Sequence, residues 1–169
     1  RFGVEAYCAV AEEEQWDGLD RLDLLVSLSL LGADGTRAYR QHALLADFAS
    51  EKLAAAGDAT AAKTRLVNYT LSFAEQHQHD YEALQPEWEN LSAAIETAHG
   101  LGLGRETIRL TELLKEGWFA NGRYTDARAA YPLAEEAATR LEDEAALGQI
   151  WLAWGEACLE QSDYLNAET

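Results

Sequence analysis

Two stretches forty residues apart carry the same order of turn-forming, aromatic and small side chains. They are Asn121-Gly122-Arg123-Tyr124-Thr125-Asp126-Ala127 and Gln161-Ser162-Asp163-Tyr164-Leu165-Asn166-Ala167. Upstream of them, Leu114, Gly117 and Trp118 meet Trp154, Ala157 and Cys158 at the same offset. A period of this length is a helix–turn–helix unit, which cannot bury its apolar face alone and therefore stacks on its neighbours. The small Ala127 and Ala167 let two helices approach closely, and Tyr124 and Tyr164 wedge the turn. Trp151-Leu152-Ala153-Trp154-Gly155 supplies the apolar face of the last full helix, where aromatic packing between helices accounts for the rings.

The apolar pattern extends this helical reading upstream. Residues from Asp58 or Thr60 to His77 show a helical stripe of Leu66, Val67, Tyr69, Leu71 and Phe73. Tyr81, Leu84, Trp88, Leu91, Ala94 and Ile95 make the next, to His99, with the helix start placed near Pro86 because proline fits a first turn. Gly100-Leu101-Gly102-Leu103-Gly104 is a turn, followed by helices over 105–121, 123–141 and 143–161. The first third is mixed. Helices are expected from Val4 to Glu13 and, with Asp17 as N-cap, from Gly18 to Val26, Leu19, Leu22, Leu25 and Val26 facing a core. The period then changes to two at Ser27-Leu28-Ser29-Leu30. Ala33-Asp34-Gly35 signals a turn, and Thr36 to Gln41 reads as a return strand. From His42 the pattern is helical again through Leu44, Leu45, Phe48 and Leu53, stopping at Gly57.

Composition narrows the function. The 169 residues hold 30 Asp and Glu against 13 Lys and Arg, a net charge of −17 that repels phosphate backbones and anionic lipids. No nucleic-acid or membrane partner is expected, and no apolar run is long enough for a transmembrane helix. The opening residues Arg1 to Glu5 lack the apolar stretch of a signal peptide, so a cytoplasmic protein is expected. Methionine is absent, and the last residues look like the start of a helix, so the chain reads as an internal piece truncated at its C-terminus. Cys8 and Cys158, each in an apolar helical stretch, are expected to be buried reduced thiols rather than a disulfide framework. His77 and His79 lie two apart and point to opposite faces of a helix, so no metal site is expected. Acidic runs such as Glu12-Glu13-Glu14 and Glu142-Asp143-Glu144 fall at helix ends as solvated charge, and no nucleophile–base pairing stands out. Catalysis by this piece is not expected.

Trp151, Gly155, Tyr164 and Ala167, with Asp163 before the tyrosine, resemble the tetratricopeptide (TPR) pattern of W-x3-G and Y-x2-A, with a period longer than the usual 34 residues. The order helix, helix, hairpin, helix is that of a winged helix missing its first helix. The run Leu19 to Leu31, the Asp-Gly turn and Tyr39 to Ala49 resemble the winged-helix segment of STAND (NB-ARC/AP-ATPase-type) NTPases. Glu87-Trp88-Glu89-Asn90-Leu91-Ser92-Ala93-Ala94-Ile95-Glu96 is similar to the E-x-x-N-L-x-A-A-L stretch that follows in bacterial members. The fold class this implies is mainly α. A partial winged helix with one β-hairpin occupies 1–57, a helical linker or degenerate repeat 58–100, and a TPR-like α-α superhelix 101–169. In that family the histidine at the end of the wing senses a nucleotide phosphate on the ATPase core. The role would fall on His42, where Ala43 replaces the usual following Asp, and capping the hairpin against the next helix is the other reading of His42.

No G-x-x-x-x-G-K-[ST] run occurs, so the resemblance implies ADP or ATP for the parent protein and no cofactor for this fragment. It further implies a bacterial signal-transduction protein, a transcription regulator as the parent. The winged helix would contact the NTPase core in cis, the repeats would bind a protein, peptide or inducer, and the activated parent would oligomerise. A stand-alone TPR scaffold for protein–protein interaction is the alternative. Direct DNA binding is disfavoured, because the would-be recognition helix carries Asp17, Asp20 and Asp23 against Arg21, and the wing adds only Arg37 and Arg40.

Overall fold

The computed structural model describes residues 1–35 and 38–167, with side chains through Glu160. It is mainly helical, as the periodicity predicts, with one three-stranded antiparallel sheet. Two compact units divide it, Arg1–Tyr69 and Thr70–Thr169, the boundary falling inside one long helix.

The first unit runs β1 (Phe2–Gly3), α1 (Val4–Ala11), α2 (Gln15–Ser27), β2 (Gly32–Ala33), β3 (Ala38–Arg40), α3 (Ala43–Ala56) and the start of α4 (Ala59–His77). β3 is the central strand: Tyr39 lies opposite Phe2 on one side and Ala33 on the other. β1 has no signal in the sequence. Two residues cannot show a period, and the strand exists because β3 offers it an edge. The core is a small cluster of Val4, Leu22, Leu31 and Tyr39, against which Phe2, Tyr7, Cys8, Leu19, Leu25 and Val26 pack. α1 and α2 approach closely at Gly18, where an added Cβ would lie 2.4 Å from Cys8 Sγ.

Several local expectations change here. Asp17 sits in the first turn of α2 rather than at its N-cap, which is Glu14. An acidic residue still suits that turn, where the helix dipole is positive. Ser27-Leu28-Ser29-Leu30 is not a strand but the unwinding of α2. Leu30 N–H donates to Leu25 C=O at 2.9 Å and Ser29 N–H to Val26 C=O at 2.9 Å, with Ser29 left-handed at φ 59°. That is a Schellman closure, and its alternating residues mimic a strand in sequence. The hairpin strand is Gly32–Ala33 instead. The helix from His42 forms and ends at left-handed Gly57 as expected, but α3 buries none of its residues. Cys8 is only half-buried and Cys158 is exposed, so neither is the buried thiol expected.

The second unit takes the rest of α4, then α5 (Tyr81–Leu84), a 3-10 turn (Gln85–Glu87), α6 (Trp88–Gly100), α7 (Gly104–Ala120), α8 (Tyr124–Arg140) and α9 (Glu144–Ala167). Helix begins at Tyr81, capped by Asp80, whose Oδ1 accepts from Ala83 N–H at 3.1 Å; Pro86 lies in the 3-10 turn that leads into α6. α7, α8 and α9 start at Gly104, Tyr124 and Glu144, a spacing of twenty residues. The turns before them are built alike. Leu103, Arg123 and Asp143 donate their N–H to Ala98, Trp118 and Ala138, and the preceding Gly102, Gly122 and Glu142 are left-handed. Each is again a Schellman closure.

Neighbouring helices pack in sequence from α6 to α9, and α6 also meets α8 as α7 meets α9. The core between them holds Leu110, Leu114, Trp118, Ala127, Tyr131, Ala134 and Ala138, all at 1% exposure or less. Trp118 and Tyr131 meet edge to face at 6.1 Å, and Tyr131 stacks on Trp154 at 6.4 Å. The turn expected at Gln161-Ser162-Asp163 does not form: α9 continues to Ala167. Ser162 occupies the slot where Gly122 turns left-handed, so the closure lacks the glycine that adopts that conformation at least cost, although Ser29 and Glu142 do adopt it.

Candidate functional site

Two places hold the residues singled out by the sequence. The first is the start of α3. His42 is its N-cap, in extended conformation, and its Nδ1 accepts from Leu44 N–H at 3.3 Å. An Nδ1 that accepts leaves the ring proton on Nε2. His42 is exposed, and Leu44 (73%) and Phe48 (57%) beside it are exposed as well. The arrangement is therefore an imidazole donor at the head of an uncovered apolar helix face. Backbone N–H groups of the first turn of α3 add positive dipole there.

The second place is a cleft of about 330 Å³ between α7 and α9, floored by Tyr131 of α8. Thr111, Glu112 and Lys115 line one side, and Gln149, Ile150, Leu152 and Ala153 the other. Glu112 and Gln149 also border a shallower groove of about 630 Å³ toward the start of α9, which adds Arg105, Arg109, Glu142, Asp143 and Glu144. The Tyr131 hydroxyl is buried and has no hydrogen-bond partner among the described residues. Burial, and to a lesser degree the nearby Glu156 carboxylate, push that phenol well above its ordinary range, so it stays protonated. Two cations are already engaged: Lys115 of the cleft pairs with Glu156 at 2.7 Å, and Arg109 of the groove with Glu75 at 3.3 Å and Glu112 at 3.7 Å. The groove is left with Glu142, Asp143 and Glu144 against Arg105, an excess of carboxylate that favours a basic or neutral occupant.

The repeat-defining residues occupy different environments. Gly122 turns left-handed at φ 64°, Tyr124 opens α8 with its ring edge-on to Phe119 at 5.6 Å, and Ala127 is fully buried. Trp151 is exposed and its Nε1 donates to Glu135 at 2.8 Å, and among the described residues no atom would crowd a side chain at Gly155. The side chains of Tyr164 and Ala167 lie outside the described residues. The close approach that the repeat needs is made instead at Gly117, where an added Cβ would stand 2.8 Å from the Trp88 ring. The sequence pairs Gly117 with Ala157, and both are at buried positions, so the offset held the signal although the consensus spacing pointed elsewhere. Arg123 also lies over the Trp88 ring at 5.1 Å.

No group of three or more potential metal ligands occurs among the described residues, nor any helix long and apolar enough to cross a membrane. Comparison with protein-family models, with curated proteins and with solved structures finds no match for this chain.

Proposed function

We propose that this chain is the regulatory part of a STAND-type signalling ATPase, with a winged helix that holds the nucleotide-binding core and TPR-like repeats that receive the signal. The observation that carries the reading is the succession, in one chain, of two element patterns. The first is β1–α1–α2–β2–β3–α3 with β3 between β1 and β2, the order of a winged helix after its first helix. The second is a set of helices restarting every twenty residues through like turns. The uncovered face of α3, headed by His42, supports contact with a nucleotide-binding core in cis, with Nε2–H as a donor to a phosphate. The cleft between α7 and α9, with the acidic groove beside it, supports binding of a basic protein or peptide segment, or of a neutral inducer. The fragment carries no cofactor and no catalysis of its own in this reading, ADP or ATP belonging to the parent, a cytoplasmic protein that oligomerises when activated.

The test uses the parent reading frame. It should encode a phosphate-binding G-x-x-x-x-G-K-[ST] loop upstream of Arg1, and the purified parent should retain ADP. His42→Ala should speed ADP release about tenfold, the effect of losing one charge-assisted hydrogen bond, and raise the oligomeric fraction in ATP. A parent without such a loop would leave the stand-alone TPR scaffold, supported by the same cleft, as the better account.

A further inference from the structure

A different surface of the first unit has features that neither reading uses. α2 exposes Trp16, Asp20, Leu24 and, just past its end, Leu28, at intervals of four residues. Such residues form one ridge along a helix, here about 18 Å long at 1.5 Å per residue. Trp16 is 81% exposed, Leu24 56% and Leu28 59%, an apolar load unusual for an uncovered helix. Three carboxylates, Asp17, Asp20 and Asp23, flank or interrupt the ridge, and none of them makes an ion pair among the described residues. Arg21, the cation of this face, is bound to Glu13 at 3.2 Å. A shallow groove of about 560 Å³ beside the ridge is lined by Glu13, Asp17, Asp20, Arg21 and Leu24.

Charge selects the occupant. Phosphate backbones and anionic lipid are repelled by these carboxylates and by the net charge of −17. A second copy of the chain would set the same acidic ridge against itself. A partner with lysines or arginines bordering an apolar stripe satisfies both features at once. The ridge of four-residue spacing matches the groove between the ridges of another helix. We infer that α2 is a docking surface for a basic amphipathic helix of a partner protein, its apolar stripe covering Trp16, Leu24 and Leu28 and its cations meeting Asp17, Asp20 and Asp23. The inference is independent of the nucleotide reading and of the cleft between α7 and α9.

The probe is a fluorescein-labelled peptide of lysine and leucine at helical spacing, about 18 residues or about 27 Å as a helix. Fluorescence anisotropy follows its binding to the whole chain at two salt concentrations. Ordered peptide should bind about tenfold tighter than a scrambled one of equal composition. Trp16→Ala with Leu24→Ala should weaken it about tenfold, and Asp17→Asn, Asp20→Asn and Asp23→Asn together by a similar factor with a flatter salt dependence. The same number of neutralisations at Glu82, Glu89 and Glu96, exposed carboxylates of α5 and α6, should leave affinity within about twofold. The reversal Asp17→Lys, Asp20→Lys and Asp23→Lys should transfer binding to a glutamate–leucine peptide, a gain that misfolding could not produce. Equal loss at the control carboxylates, equal binding of the scrambled peptide, or tighter binding of a short DNA duplex than of the ordered peptide would each overturn the assignment.

Discussion

The two units solve the burial problem in different ways. The first closes a small core of Val4, Leu22, Leu31 and Tyr39 with strands of two and three residues, and leaves Trp16, Leu24, Leu28, Leu44 and Phe48 in solvent. The second buries residues from every helix in a continuous series, from Leu84 and Trp88 through Trp118 and Tyr131 to Ala157. The difference teaches that apolar content does not measure core formation. α3 has as many large apolar residues as many buried helices and buries none, while α8 fills its interface largely with alanines. Close approach of small residues makes the second core dense, whereas the first leaves large apolar side chains exposed.

If the second unit is the better packed, truncating its central ring should cost most. Trp118→Ala is expected to lose about 3–5 kcal/mol in denaturant unfolding, because the fully buried indole leaves a cavity that rigid helices fill poorly. Leu22→Ala, the matching deletion in the first core, should lose about 2–3 kcal/mol, since a small cluster relaxes onto the gap more readily. A larger loss at Leu22 would reverse the contrast.

Next in size is the approach of α1 to α2. Gly18→Ala should cost about 1–3 kcal/mol through the clash with Cys8 Sγ, and adding Cys8→Ala should recover much of it, giving a coupled double-mutant cycle. Independent losses at the two positions would show that α1 and α2 do not meet there.

The three like turns predict smaller, opposite effects. Gly122→Ala should cost about 1 kcal/mol and Glu142→Gly should return a similar amount in thermal unfolding, because both positions are left-handed and one already has a side chain there.

The smallest effect is expected at Tyr131. Its buried hydroxyl lacks a partner among the described residues, so Tyr131→Phe should be neutral or stabilising by up to about 1 kcal/mol near neutral pH. The sign with pH follows from the raised folded-state value. The unfolded phenol ionises near its ordinary 10.0 while the folded one resists, so stability is intact below about pH 10 and declines as pH rises above it. Urea midpoints measured across that range should fall for the natural chain and fall less for Tyr131→Phe.

Where the chain's periodicity is long, its helices were readable. The stripes from Leu66 to Phe73 and from Leu91 to Ile95 lie in α4 and α6, and the helices expected over 105–121, 123–141 and from Asp143 are α7, α8 and α9, although the second turn of the forty-residue offset does not form. His42 and Gly57 were legible as the bounds of α3 because an extended cap and a left-handed stop are local chemistry. The cleft between α7 and α9 was legible only as a groove of the repeat. Its floor at Tyr131 was not, because nothing local sets a phenol apart from its neighbours until three helices converge on it.

What the amino-acid order determined alone is the helical class, the acidic surface and the helices on either side of the Asn121-Gly122 turn, since these follow from side-chain period, charge and backbone preference acting over a few residues. Tertiary structure decided the rest. It made β1 from two residues that needed β3 as an edge, and it turned the alternation at Ser27–Leu30 into a helix closure. It also chose Gly117 over Gly155 for the close approach, and left α2 and α3 uncovered. Each of these depends on which distant surface is present to be met, and that free energy arises only when the elements are brought together.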